Sequence, residues 1–151
     1  MALGGPAVIV DIDGVISDAS GRQHYLNNAR GVRDWEGFFG AVADDPALAD
    51  AARLLELLDR DLAVVLLSAR PAWLLDVTVQ WLGRQRMRWD LLVLRNDEEF
   101  TDAASFKQEA LCDLQAVGYD VMLAFDDDRT IVEMYRAAGV PCIYIHSGYY
   151  G

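Results

Sequence analysis

A chain of 151 residues that is 53% hydrophobic and 25% charged holds enough apolar material for one domain core and is too apolar to stay disordered. Its net charge of −11 argues against a broad basic face for duplex nucleic acid, although a few arginines gripping one phosphate stay possible. No apolar run is long enough to cross a bilayer, and the N-terminal MALGGPAVIVDIDG has no basic segment and meets acid too early for a secretory leader. Cys112 and Cys142 have neither metal-ligand nor disulfide-framework spacing. Each is expected to be a small buried hydrophobe, and the protein cytoplasmic.

The first predicted element is a strand, AVIVDI at residues 7–12, apolar and rich in β-branched side chains. Asp11 and Asp13 stand at and just past its end. Two residues apart on an extended chain, they share one side. Gly14 beside them permits a tight turn near a ligand. Residues 17–44 do not follow the pattern of the rest. Their scattered aromatics and arginines predict a loop with a short helix at 35–42, forming a small lid over one end of the sheet. Asp45 as cap and Pro46 as opening residue predict a helix over 47–60, with Leu48, Ala52, Leu55 and Leu58 on one face.

LAVVLLS at 62–68 is the second strand, followed by Ser68, Ala69 and Arg70. Pro71 opens a helix over 72–86. WDLLVLR at 89–95 is the third strand. A helix over 102–118, stopped at Gly118, carries Lys107, the one lysine beside twelve arginines. DVMLAFDD at 120–127 is the fourth strand and ends in Asp126, Asp127 and Asp128. A helix over 130–139 and a fifth strand at 140–146 complete the chain. Strands and helices alternate, so the expected fold is a single α/β domain over 1–151 with a parallel sheet and right-handed crossovers.

In such a sheet the carboxyl ends of the strands share one edge, where ligands bind. Asp11, Asp13, Ser68, Arg70 and the tandem aspartates would converge there. Carboxylates crowded together repel unless a cation sits among them, and an all-oxygen set suits Mg²⁺. His24 and His146 are isolated and offer no zinc site. Metal, hydroxyl, guanidinium and ammonium together suit a phosphoryl group. Asp11 would attack phosphorus, while Asp13 would protonate the leaving oxygen and then activate water. No GxxxxGK[ST] loop supports nucleotide-dependent kinase chemistry. Taken singly, each residue also has a structural role open to it. Ser68 can cap a helix before Pro71, Lys107 can be a solvated helix residue, and the tandem aspartates can cap the helix near Thr130.

DIDGV at 11–15, LLSAR ending at Arg70, Lys107 on a helix and FDDD at 125–128 occur in the order of the four motifs of the haloacid dehalogenase (HAD) superfamily, which the whole chain resembles. The resemblance implies a three-layer, Rossmann-like fold with sheet order 5-4-1-2-3 and a cap after the first strand. It also implies Mg²⁺-dependent phosphatase chemistry through an aspartyl-phosphate on Asp11. Asp13 would also bind metal through its backbone carbonyl, Ser68 and Lys107 would hold the phosphoryl group, and Asp127 would be the main acidic metal ligand with Asp126 supporting it.

More narrowly, the stretch 123–145, SAR at 68–70 and SGR at 20–22 are similar to the phosphatase domain of bacteriophage polynucleotide kinase-phosphatases. That likeness implies substrate-site roles for Arg22, Ala69 and Arg70 and a nucleic-acid 3′-phosphate as substrate. Val15 stands where the first motif usually has threonine, Ala103 where relatives carry an acid, and Asp128 where the phage enzyme carries arginine. The alternatives are a phosphatase of nucleotides or other small phosphoesters, a phospho-accepting receiver-like domain, and an inactive binding module on the same fold.

Overall fold

The computed structural model describes residues 4–27, 31–96 and 101–150. Its five strands are β1 (Gly5–Val10), β2 (Ala63–Pro71), β3 (Leu91–Arg95), β4 (Tyr119–Asp126) and β5 (Cys142–Tyr144). They form one parallel sheet in the order β3-β2-β1-β4-β5, the expected order read from the other edge. The helices are α1 (Trp35–Gly40), α2 (Ala49–Leu57), α3 (Leu75–Arg84), α4 (Ala103–Val117) and α5 (Arg129–Ala137).

The period-2 alternation of the strands divides the core between the two faces of the sheet. Ala7, Ile9, Val65 and Leu67 face Phe106, Leu111 and Leu114 of α4 and Ile131, Val132 and Tyr135 of α5. Val8, Val10, Val64 and Leu66 face Leu55 of α2 and Trp81 and Leu82 of α3. These residues are almost fully buried, which is why the central strands are continuously apolar in sequence rather than alternating. The result is three layers with the carboxyl ends of β1, β2 and β4 along one edge.

Two helices start later than expected, each because a longer-range pairing wins over local capping. Residues 46–48 run beside 16–18, with Asp18 N–H donating to Pro46 O (2.8 Å) and Leu48 N–H to Ile16 O (2.9 Å), so α2 begins only at Ala49. Asp45 does not cap it; its carboxylate accepts from Ser17 and Arg22 instead. Likewise β2 runs on to Pro71, which pairs with Arg95 of β3 after a register shift, and one 3₁₀ turn separates it from α3. Cys142 is buried as expected, but Cys112 lies on the exposed side of α4. Among the described residues no helix is long and apolar enough to cross a membrane.

After β1 the chain turns sharply: Ile12 O accepts from the N–H of Val15, Ile16 and Ser17, and Gly14 takes a positive φ of 84°. Of the expected lid over 17–44, Gln23, Leu26, Asn27, Arg33 and Trp35 lie at the sheet edge that carries Asp11 and Ser68, and positions 28–30 lie outside the described residues. Asp34 caps α1 by accepting from Gly37 N–H at 2.9 Å, and Phe38 and Val42 anchor this segment in the interior.

Candidate active site

Asp11 lies one residue beyond β1, where its N–H still donates to Phe125 O of β4 at 3.1 Å, so sheet pairing fixes its backbone. Lys107, in the second turn of α4, points back onto the strand ends. Its Nζ donates to Asp126 Oδ2 at 2.7 Å and lies 3.1 Å from Asp11 Oδ1. Burial would lower the Lys107 pKa, but the carboxylates of Asp11 and Asp126 override it and hold the amine charged. Each Asp126 oxygen accepts one hydrogen bond, since its Oδ1 also accepts from Asp128 N–H at 3.0 Å, which leaves lone pairs for a cation. Asp128 in turn accepts from Thr130 N–H and caps α5; Asp126 and Asp127 do not.

Asp127 differs from its neighbours. Both its carboxylate oxygens are buried with no hydrogen bond of good geometry among the described residues, although Ser147 and Asp11 lie close enough to lower its pKa somewhat. Burying a carboxylate so is costly, and burial pushes its pKa up to about 6. Burial, with Asp126 beside it, also drives Asp11 well upward despite Lys107. Asp11, Asp126 and Asp127 each offer an oxygen within 4.8 Å of the others. One ammonium among three carboxylates leaves excess negative charge, and the donors are all hard oxygens. The set fits a divalent cation of the Mg²⁺ kind, with Asp127 the acid whose oxygens are least engaged by donors.

Two outcomes follow. The raised Asp127 pKa means that the metal-free fold keeps this group's full stabilisation below its ordinary value of 3.8 and loses it as pH rises through about 6. A saturating divalent cation is therefore expected to raise the melting temperature by about 5 °C or more near neutral pH and much less near pH 5, reversed by a chelator. A cation response equal at both values would contradict the site. Gly14 lies against Asp127, so that a Cβ there would overlap the carboxylate. Gly14→Ala is expected to remove most of the cation-induced rise in a thermal melt.

Asp13 stands in a contrasting environment. Arg70 donates through Nη2 (2.6 Å) and Nε (3.1 Å), and Arg22 through Nη2 (2.7 Å). Burial would push the Asp13 pKa up, but the Arg70 and Arg22 guanidiniums override it and hold it at about 2. Arg22 is itself clamped: Nε and Nη2 donate to Asp45 at 2.8 and 2.7 Å, Nη1 donates to Phe38 O at 3.2 Å, and the guanidinium lies 4.4 Å over the Phe38 ring. Arg70 Nη1 donates to Thr78 Oγ1 of α3 at 3.0 Å. Ser68 does not cap a helix. Its buried hydroxyl accepts from Arg70 N–H at 3.1 Å.

One cavity of about 820 Å³ collects these groups: Asp11, Asp13, Ser68, Ala69, Arg70, Lys107 and Asp126 all line it. Arg22 lies behind Asp13 and Asp127 behind Asp11, neither on the cavity wall. Sequence reasoning missed Asp45 and Thr78, which hold the two arginines, and Tyr149 and Tyr150, which bring the C-terminal residues back to the cavity. The signal for Asp45 was present but misleading, because an aspartate before Pro46 looks like a helix cap.

A parallel sheet whose first strand ends in an Asp-x-Asp pair, facing a helix lysine and a second acidic pair, defines the class as a HAD-type phosphatase. Within that class the chain matches the polynucleotide kinase PNKP phosphatase domain over residues 5–150 and belongs to that family. Two structures of the Pnkp1/Rnl/Hen1 complex, one described as an RNA repair complex, share 25% and 26% identity with it at TM-scores of 0.79 and 0.80. They are matched by 96% and 97% of this chain, which spans only 43% and 47% of theirs. A haloacid dehalogenase-like hydrolase from Streptococcus pneumoniae, 12% identical with a TM-score of 0.63, shares the fold over 97% of this chain and 88% of its own. No curated protein matches the sequence.

Proposed function

We propose that this protein is a Mg²⁺-dependent phosphomonoesterase that removes terminal 3′-phosphates from nucleic acid through an aspartyl-phosphate on Asp11. The observation that carries the chemistry is the division of labour between two aspartates two residues apart. Asp11 sits in an acid cluster that fits a cation, and Asp13 sits between two guanidiniums in the same cavity. The polynucleotide substrate is supported by membership of the PNKP phosphatase family and by the likeness to the RNA-repair chain.

Asp11, Asp127 and Asp126 would hold the cation, which would neutralise charge on the phosphoryl oxygens when bound. Lys107 keeps the Asp11 carboxylate oriented, and Ser68 with Arg70 receives the phosphoryl group. An Asp11 oxygen forms the bond to phosphorus as the bond to the 3′-oxygen breaks, and Asp13 delivers a proton to that oxygen. In the free protein Asp13 is ionised. A phosphoryl group drawing on Arg70 weakens the attraction that keeps it so, and Asp13 takes up its proton as substrate binds. The resulting Asp13 carboxylate then removes a proton from water, which attacks phosphorus and frees Asp11. Arg22, fixed by Asp45, serves the substrate site by holding Asp13. The described parts of 17–44 act as a small lid, and the whole chain acts as one phosphatase domain. Two free cysteines accord with the reducing cytoplasm.

The net charge of −11 favours a second reading, a phosphatase of nucleotides or small phosphoesters. Oligonucleotides bearing 3′- or 5′-phosphate and the matching mononucleotides, incubated with Mg²⁺, separate the two. Phosphate released preferentially from 3′-phosphorylated oligonucleotides is the expected result. Release from mononucleotides alone would overturn the polynucleotide reading.

A further inference from the structure

The cavity has a second chemical character beyond its acidic floor. Trp35, Phe38 and Phe39 line it together with Asp11, Ser68 and Lys107. Phe38 is buried and anchors α1, but Trp35 is 47% exposed, and Trp73, packed edge-on against Phe39, is 54% exposed. Trp35 and Phe39 stack at 5.7 Å with 26° between their planes, while Phe38 meets both edge-on. These rings are joined to the chemistry through Arg22, which covers Phe38 and bonds Asp13. The interior anchoring of this segment is done by Phe38 and Val42, so folding does not require a half-exposed indole at Trp35 on the cavity wall.

We infer that Trp35, stacked on Phe39, is a platform for the unpaired base of the terminal nucleotide whose phosphate reaches Asp11. The inference rests on the 3′-phosphatase reading and extends it to the substrate class: single-stranded ends bearing a base. A flat, partly stacked indole accepts any base on its π-face, which a sequence-tolerant end-processing site needs. Charge agrees with this occupant. In a chain of net charge −11, Arg33 and Arg95 both line the cavity, beside Asp102, and the Arg33 guanidinium lies over the Trp35 ring at 6.0 Å, from where it can swing to the next phosphodiester as a base takes its place on the indole.

The test compares two single-stranded oligonucleotides with 3′-phosphate ends, one carrying a normal terminal nucleotide and one an abasic sugar there. The intact protein is expected to show a KM about tenfold lower for the base-bearing end. Trp35→Leu, which keeps apolar volume over Phe38, is expected to bring the two within about twofold, and Trp35→Phe to keep most of the preference. Equal KM values in the intact protein, a measurement that needs no variant, would overturn the platform. So would a preference that survives Trp35→Leu, or sedimentation showing that Trp35→Leu dissolves a dimer, which would assign the rings to a second copy. If neither end loses phosphate, the 3′-phosphatase reading itself falls and the platform with it.

Discussion

Asp11→Asn is expected to lower phosphate release by roughly 10⁴-fold while leaving the fold intact, because an amide keeps the shape of the side chain and cannot form the acyl phosphate. Its effect on stability has the opposite sign from a usual active-site loss of charge. Asp11 is buried beside Asp126 and Asp127, and its carboxyl is driven well above the ordinary range, so its ionised form is a burden on the metal-free fold at neutral pH. In the presence of a chelator the variant is expected to melt at the same temperature as the parent or higher. Phosphate release and a thermal melt on the same sample check both halves. Activity above about one hundredth of the parent would show that Asp11 is not the nucleophile.

Lys107→Met is expected to give the largest loss of stability of any single change at the site. The ammonium is buried, 2.7 Å from Asp126 and 3.1 Å from Asp11, and among the described residues it is the one cation in contact with that acid cluster. Removing it leaves Asp126 buried with an unpaired charge, at a cost of about 3–5 kcal/mol. For a chain of this size that is a fall in melting temperature on the order of 10 °C. A divalent cation should restore part of the loss, because it neutralises the same carboxylates. Phosphate release should fall as well, since Asp11 loses the group that orients it. A melt within a degree or two of the parent in chelator would contradict the role given to Lys107.

The sheet order and the gathering of most candidate residues at one edge were legible because each depends on local pattern. Short apolar runs such as Val64–Leu67 identify strands covered on both faces, and the parallel order carries Asp11, Ser68, Lys107 and Asp126 to one cavity from four places in the chain. Asp45 was hidden for a physical reason: its partners Arg22 and Ser17 lie 23 and 28 residues away, and capping propensity next to Pro46 outweighed them in a local reading. The same competition moved the start of α3, where pairing of Pro71 with Arg95 outlasted the proline's preference for a first helical turn. The exposure of Trp35 could not be read from periodicity, because α1 has only six residues and a stripe needs more than one turn to declare itself. The return of Tyr149 and Tyr150 follows from the path of the chain after β5, on which composition is silent.

The measurement closest to the central claim is to mix the protein with Mg²⁺ and an oligonucleotide carrying a labelled 3′-phosphate, quench in acid within the first turnover, and map the label. Acid-stable, alkali-labile label on the peptide containing Asp11, absent in Asp11→Asn, is the expected result. Rapid turnover with no label on the protein, or with label on any other residue, would contradict it.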